Sequence, residues 1–299
     1  DFDGLGCAVL LKEVNMIDDI KFVHPKDIQD GLIDVDENDI LANIPYVPGC
    51  GLWFDHHSSE NKRKSYGYFM GMSDPSAPSA ARVIYNYYGG KERFFSSHFD
   101  DLITAVDKAD SAQFTPEEIL NPKGWVLLAF IMDPRTGLGR YRDYRISNYQ
   151  LMMDMIDYCK TKSVDEILAI EDVQQRVRRY FEQDKLFQDM IRTNAEVRGN
   201  VLVIDLREQE EIYTGNRFVP YSLFPEQNIS IQVIWGLKKQ NIVFTCGHSI
   251  INRTSNADIG SLMLKYGGGG HKRVGTCQVR VDDAEAILDD IIKKMNEDG

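Results

Sequence analysis

A run of strand-forming apolar residues, Leu52-Trp53-Phe54, ends without a spacer on Asp55-His56-His57. It reads as a short buried strand that delivers three adjacent polar side chains to its carboxyl end. Two imidazoles and a carboxylate are expensive to place beside a core unless they hold something. Imidazole with carboxylate suits a transition metal such as Mn, Fe, Co or Zn better than an ion that seeks thiolate. A polar turn after an edge strand is the competing reading, and these three residues alone leave both open.

The rest of the chain supplies the context of an open α/β sheet. Asp1-Phe2-Asp3-Gly4-Leu5-Gly6 leads into Cys7 to Val14, of helical composition, as a loop beyond a strand enters a helix. An Asp in front of a helix is also a common N-cap, although two Asp at spacing two exceed what one cap requires. No Met and no strand precede Asp1, so the native start, with any ligand on it, is expected upstream. Strands are predicted over Ile20 to His24 and Asp39 to Ile44, the second giving out at Asn43 just before Pro45. A polar loop with Lys62-Arg63-Lys64 follows the His pair. Helices are predicted from Pro78-Ser79 to Gly89-Gly90 and from about Ser96 to Ala109. Asp107 and Asp110, three apart, share one face at the end of the second helix, where solvated surface acids are the alternative.

Helical patterning continues through Trp125 to Met132, Ile146 to Cys159 and Ser163 to about Arg192, where Val173, Val177 and Phe181 keep a four-residue stripe. β-rich sequence begins at Val201 and includes a hairpin pattern around Gly236 to Gln240. The predicted fold is α/β: an N-terminal open, mainly parallel sheet flanked by helices, a helical connector, and a smaller C-terminal α/β domain with a mixed sheet. The expected ranges are 1–160, 161–196 and 197–299.

Two stretches could hold an anion. Arg135, Arg140, Arg142 and Arg145 fall within eleven residues and can clamp phosphate, or can form a solvated loop paired with Asp133 and Asp143. Gly267, Gly268, Gly269 and Gly270 remove every side chain between backbone and ligand, and His271, Lys272 and Arg273 follow at once. A flexible connector is the other reading of that loop. The net charge of −12 disfavours wrapping of a long duplex and leaves a short anion as the expected partner. Five scattered cysteines form no Cys-x-x-Cys pair and read as reduced thiols. The longest apolar run, Trp125 to Met132, falls far short of the ~18–20 residues of a membrane helix, so no membrane partner and a cytoplasmic location are expected.

Asp-x-Asp-Gly, Asp-His-His after a strand, an Asp near a helix end and Gly-Gly-Gly-His occur here in a fixed order. Jointly they closely resemble the DHH phosphoesterase superfamily, in the subfamily with a C-terminal DHH-associated domain. Its members include RecJ-type exonucleases, oligoribonucleases that act on pAp, cyclic-dinucleotide phosphodiesterases and exopolyphosphatase-related proteins. The resemblance runs from Asp1 to Gly275. It implies two divalent metal ions, Mn2+ above Mg2+ or Co2+, held by Asp1, Asp3, His56 and Asp110, with Asp107 as understudy and Asp55 in support. It places His57 nearer the scissile phosphate, and Gly267 to His271 at the substrate with help from Arg253.

The same resemblance assigns Asn43 to a position that normally carries an Asp bridging both metals. A neutral amide offers one oxygen and cannot bridge two cations with a negative charge. The implied activity is hydrolysis of short oligonucleotides or nucleotides such as pAp and dinucleotides, cyclic ones included. Polyphosphate hydrolysis and nucleotide binding without turnover are the alternatives. A homodimer is an admitted assembly.

Overall fold

A computed structural model describes residues 1–57 and 68–298, so the Lys62-Arg63-Lys64 segment lies outside the described residues. The chain forms two compact units.

The first unit is built on α1 (Phe2–Glu13), whose Leu5, Cys7, Val9, Leu10 and Leu11 are all buried. A helix apolar on every side belongs inside a fold. It lies against α3 (Ala80–Tyr87), α4 (His98–Asp110) and α7 (Asn148–Thr161). Gly6 permits the closest approach: a Cβ there would stand 3.1 Å from both the Ala81 methyl and Val106. The short α2 (Pro25–Gln29) is capped by the His24 ring. Beside these helices runs a parallel sheet in the order β1 (Ile40–Ala42), β2 (Leu52–Asp55), β3 (Gly71–Ser73). Trp53 and Phe54 of the middle strand are fully buried, as its unbroken apolar sequence requires.

Two expectations are corrected here. The first helix begins at Phe2 and not after Gly6, which makes Asp1 its N-cap and puts Asp3 in its first turn. Ile20 to His24 forms no strand: it finds no ladder partner among the described residues, and β propensity without one does not make a strand.

The unit continues through α6 (Gly124–Met132), a 3-10 turn at Leu138–Arg140, α7 and α8 (Val164–Leu168) into α9 (Glu171–Asn194), while a 3-10 turn at Pro134–Thr136 passes into the second unit at Arg135. Arg176 on α9 is fully buried. Its guanidinium lies over the Tyr144 ring and donates to the Ile146 and Asp172 carbonyls and to Asn148 Oδ1. From the basic loop, Arg145 pairs with the Asp172 carboxylate through Nε at 2.9 Å and through Nη2. The division between the units falls inside α9, between Val177 and Arg178.

The second unit holds a six-stranded mixed sheet in the order β4 (Ala195–Arg198), β5 (Val201–Asp205), β6 (Ile229–Trp235), β7 (Ile242–His248), β9 (Val274–Val279), β8 (Gly269–His271). Only β5 and β6 pair in parallel. Val201, Ile231, Phe244 and Cys277 from the sheet pack with Ile259 and Met263 of α11 (Ile259–Lys265) and Ile291 and Met295 of α12 (Ala284–Glu297). Segments Phe114–Pro122, with α5 (Pro116–Leu120), and Arg135–Gly137 belong to this unit although they precede α9 in the chain. Buried Asn216, just ahead of α10 (Val219–Leu223), donates to the Ile119 carbonyl at 3.0 Å, and Gly215 N donates to the Thr136 carbonyl.

The loop expected over Gly267 to Gly270 is corrected in part. Gly269–His271 is an edge strand antiparallel to β9, so the glycines are backbone of the sheet as well as connector. At Gly270, with φ +154°, a Cβ would meet the Val274 carbonyl oxygen at 2.2 Å. The glycine is there for close passage of two strands.

Candidate active site

Beyond the carboxyl end of β2 the chain leaves the sheet at Asp55, which is 1% exposed, and presents His56 and His57. His56 points Nδ1 at the Ala77 carbonyl, 3.2 Å away. A carbonyl only accepts, so Nδ1 carries the proton and neutral His56 bears its lone pair on Nε2. That nitrogen lies 3.2 Å from Asp110 Oδ2 and 3.7 Å from Asp3 Oδ2, yet makes no hydrogen bond of acceptable geometry. Ligand atoms of Asp3, His56 and Asp110 all fall within 4.8 Å of one another.

Asp3 reaches this point from the first turn of α1, where it is almost wholly buried. Ala80 N donates to its Oδ2 and Ala81 N to its Oδ1, each at 2.9 Å, so the N-terminus of α3 cradles the carboxylate. The Cys7 thiol, one turn on, stands 3.9 Å from Oδ1. Burial, and next the charge of Asp110, push the Asp3 carboxyl up to about 7 against the pull of the two N–H groups. Burial beside Asp3 and Asp110 likewise drives the Cys7 thiol well upward, so it stays a thiol and not a thiolate ligand.

Two carboxylates and an imidazole lone pair that converge without hydrogen-bonding one another are poorly matched alone and well matched to a cation. The backbone carbonyl on the far nitrogen of His56 is the outer support that metal-bound histidines use. Oδ2 of Asp55 and Oδ1 of Asn43 are also buried without a hydrogen-bond partner. The donor set therefore fits a hard or borderline divalent ion at Asp3, His56 and Asp110.

The remaining predicted residues lie as follows. Asp55 Oδ1 holds His57 Nδ1 at 2.8 Å, and that bond raises the imidazole's pKa. Asp1 accepts from Gly4 N as helix cap, and Asn43 Nδ2 donates to Asp1 Oδ1 at 3.3 Å. Neither belongs to the three-residue group. Asp107 is turned to α3, paired with Arg82 and Ser79, and also lies outside it. The two arginines of the basic stretch part company: Arg135 belongs to the second unit and Arg140, near the Tyr141 ring, to the first. In the second unit His271, Lys272 and Arg273 are exposed around β8, and exposed Arg253 donates Nε to the Ile250 carbonyl. Ala80 and Ala81 escape sequence reasoning because they act through backbone N–H groups, and only the Ser79 cap signal points to them.

No protein-family model matches the chain. No curated protein matches it either. Among solved structures it is similar to the pGpG-specific phosphodiesterase PggH of Vibrio cholerae, with 50% identity and a TM-score of 0.89 over 100% of this chain and 97% of that one. RecJ of Thermus thermophilus, solved with Mn2+, matches with a TM-score of 0.57 and 14% identity over 99% of this chain and 51% of that chain, a likeness of fold. Half of the residues shared over the whole length, on a backbone that superposes throughout, is kinship and not only shape: the chain belongs to the DHH phosphoesterase superfamily and is a phosphoesterase.

Proposed function

We propose that the protein hydrolyses the phosphodiester bond of short linear dinucleotides of the pGpG kind, using divalent metal, with Mn2+ the best match to its donors. The observation that carries the metal part is His56 Nε2, which lies between two carboxylates without a hydrogen bond while the ring is fixed by the Ala77 carbonyl. The substrate part is supported by the similarity to a pGpG-specific phosphodiesterase.

Asp3, His56 and Asp110 would hold the ion, which when bound polarises a phosphoryl oxygen and makes water a nucleophile near neutral pH. His57 supplies what the ligands cannot. Asp55 accepts from its Nδ1, favours the imidazolium and leaves Nε2–H to stabilise a phosphoryl oxygen as charge builds or to protonate the leaving oxygen. Asp1 and Asn43 are proposed to serve a second, weaker ion, because an amide in place of a carboxylate removes one negative charge. Exposed His271, Lys272 and Arg273, with Arg253, are proposed to bind substrate phosphate, so His271→Ala is expected to raise KM more than it lowers kcat.

With Mn2+, purified protein is expected to convert pGpG to mononucleotides and to spare cyclic dinucleotides and polyphosphate. His56→Ala is expected to remove the activity together with the metal. Polyphosphate cleavage without dinucleotide cleavage, or full turnover in the presence of a strong chelator, would overturn the reading.

A further inference from the structure

Asp107 lies one helical turn before Asp110 on α4, yet its carboxylate serves α3. Its Oδ1 accepts from Ser79 Oγ at 2.7 Å, and its Oδ2 accepts from Arg82 Nε and Nη2 at 2.9 and 2.6 Å. Ser79 is the N-cap of α3 and its Oγ also accepts from Arg82 N at 3.0 Å. The next two residues, Ala80 and Ala81, are the ones whose N–H groups hold the two oxygens of Asp3. One carboxylate thus fixes the cap from the side-chain end and the first turn from Arg82, and that turn fixes the next carboxylate.

From this chain of contacts we infer that Asp107, with Ser79 and Arg82, is a positioning residue for the metal centre: it orients Asp3 through the N-terminal turn of α3. The inference rests on Asp3 being a metal ligand. Oδ1 accepts from Ala81 N and lies against the Cys7 thiol, whereas Oδ2, the oxygen nearer His56, accepts from Ala80 N alone and keeps a lone pair, so the direction of these two N–H groups sets where that lone pair points. An eight-residue helix has only about two turns to stiffen its own end, by the usual 3.6 residues per turn. The Asp107 carboxylate, with one oxygen on Ser79 Oγ and the other held by two nitrogens of Arg82, supplies fixed geometry from outside the helix. Replacing one of these three groups leaves every ligand atom in place and changes only how well Asp3 is aimed.

The test is a calorimetric Mn2+ titration of the full-length protein, its Ser79→Ala, Ser79→Thr, Asp107→Asn and His56→Ala variants, with circular dichroism on each. Positioning predicts that Ser79→Ala and Asp107→Asn weaken Mn2+ binding roughly tenfold to a hundredfold, the usual effect of losing an outer support of a ligand. The number of ions bound at saturation stays at the wild-type value, Ser79→Thr restores affinity, and kcat on pGpG recovers at high Mn2+. Unchanged affinity in the folded Ser79→Ala and Asp107→Asn proteins overturns the inference while wild-type binding and its loss in His56→Ala keep the metal site standing. Fewer ions bound by Asp107→Asn, with Ser79→Ala unaffected, also overturns it, by making Asp107 a ligand. If the wild-type protein binds no Mn2+, the metal reading and this inference fall together. Should Asp107→Asn not fold, the Ser79 pair decides.

Discussion

Asn43 sits at φ +59°, in the left-handed region that asparagine tolerates better than most residues. Its backbone N–H donates to the Phe54 carbonyl at 3.0 Å, which ties it to the strand leading to Asp55. In its side chain Nδ2 faces the Asp1 carboxylate. An aspartate in its place would set carboxylate against carboxylate at about the same separation, a repulsion that only a cation relieves. Asn43→Asp is therefore expected to lower the thermal midpoint of the metal-free protein and to raise it with Mn2+ by more than the wild type gains. Thermal melts with and without Mn2+ check this, and equal shifts in both proteins would show that residue 43 faces no metal. At this scale the sequence was informative about residue types and silent about partners. It named Asp3, His56 and Asp110, but it could not say that Asp107 would choose Arg82, because that depends on which face of α3 meets α4.

Among the elements, α1, α3 and α4 meet at Gly6, and this junction lies beneath both Asp3 and its cradle. Helix propensity alone would favour a larger residue there. Gly6→Val would drive branched carbons into Ala81 and Val106, an overpacking that costs about 1–3 kcal/mol in a filled core. Chemical denaturation of the metal-free protein measures that loss, and a weaker Mn2+ affinity should accompany it as α3 is displaced. A variant as stable as the wild type would show that the junction relaxes easily. The strands illustrate the other limit of reading elements from sequence. Leu52 to Asp55 was legible because three apolar residues run together there, and Trp53 and Phe54 are indeed fully buried. Ile20 to His24 carries similar residues and forms no strand, since pairing belongs to the sheet and not to the segment.

For the molecule as a whole, a net charge of −12 means that many carboxylates govern its response to acid. Asp172 is the clearest case: it is 4% exposed, and the Arg145 guanidinium above all holds its carboxyl below the usual range. A carboxyl depressed in the folded state stabilises at pH values above its unfolded pKa, and the gain is lost as pH falls through the folded one. Asp172→Asn should therefore be clearly less stable than the wild type at pH 7, and the gap should close well below pH 4, near the unfolded value for Asp. Urea midpoints at several pH values measure it, and a pH-independent gap would assign the loss to packing.

The same scale shows how the chain is shared between its units. Residues 114–122 and 135–137 belong with the sheet that begins at Ala195, through bonds such as Asn216 to Ile119. Such pairing between residues 97 apart in sequence has no local signature. The sequence by itself determined the chemistry on offer and the order of its parts: an α/β chain with carboxylates and imidazoles at strand and helix ends, and a glycine run followed by cations. Those depend on residue type and on periodicities of two and 3.6. The tertiary structure alone decided which carboxylates converge on His56, which one braces the helix cap, and that the glycine run forms a sheet edge. Distances between groups far apart in the chain are set by packing, and packing is a property of the assembled core.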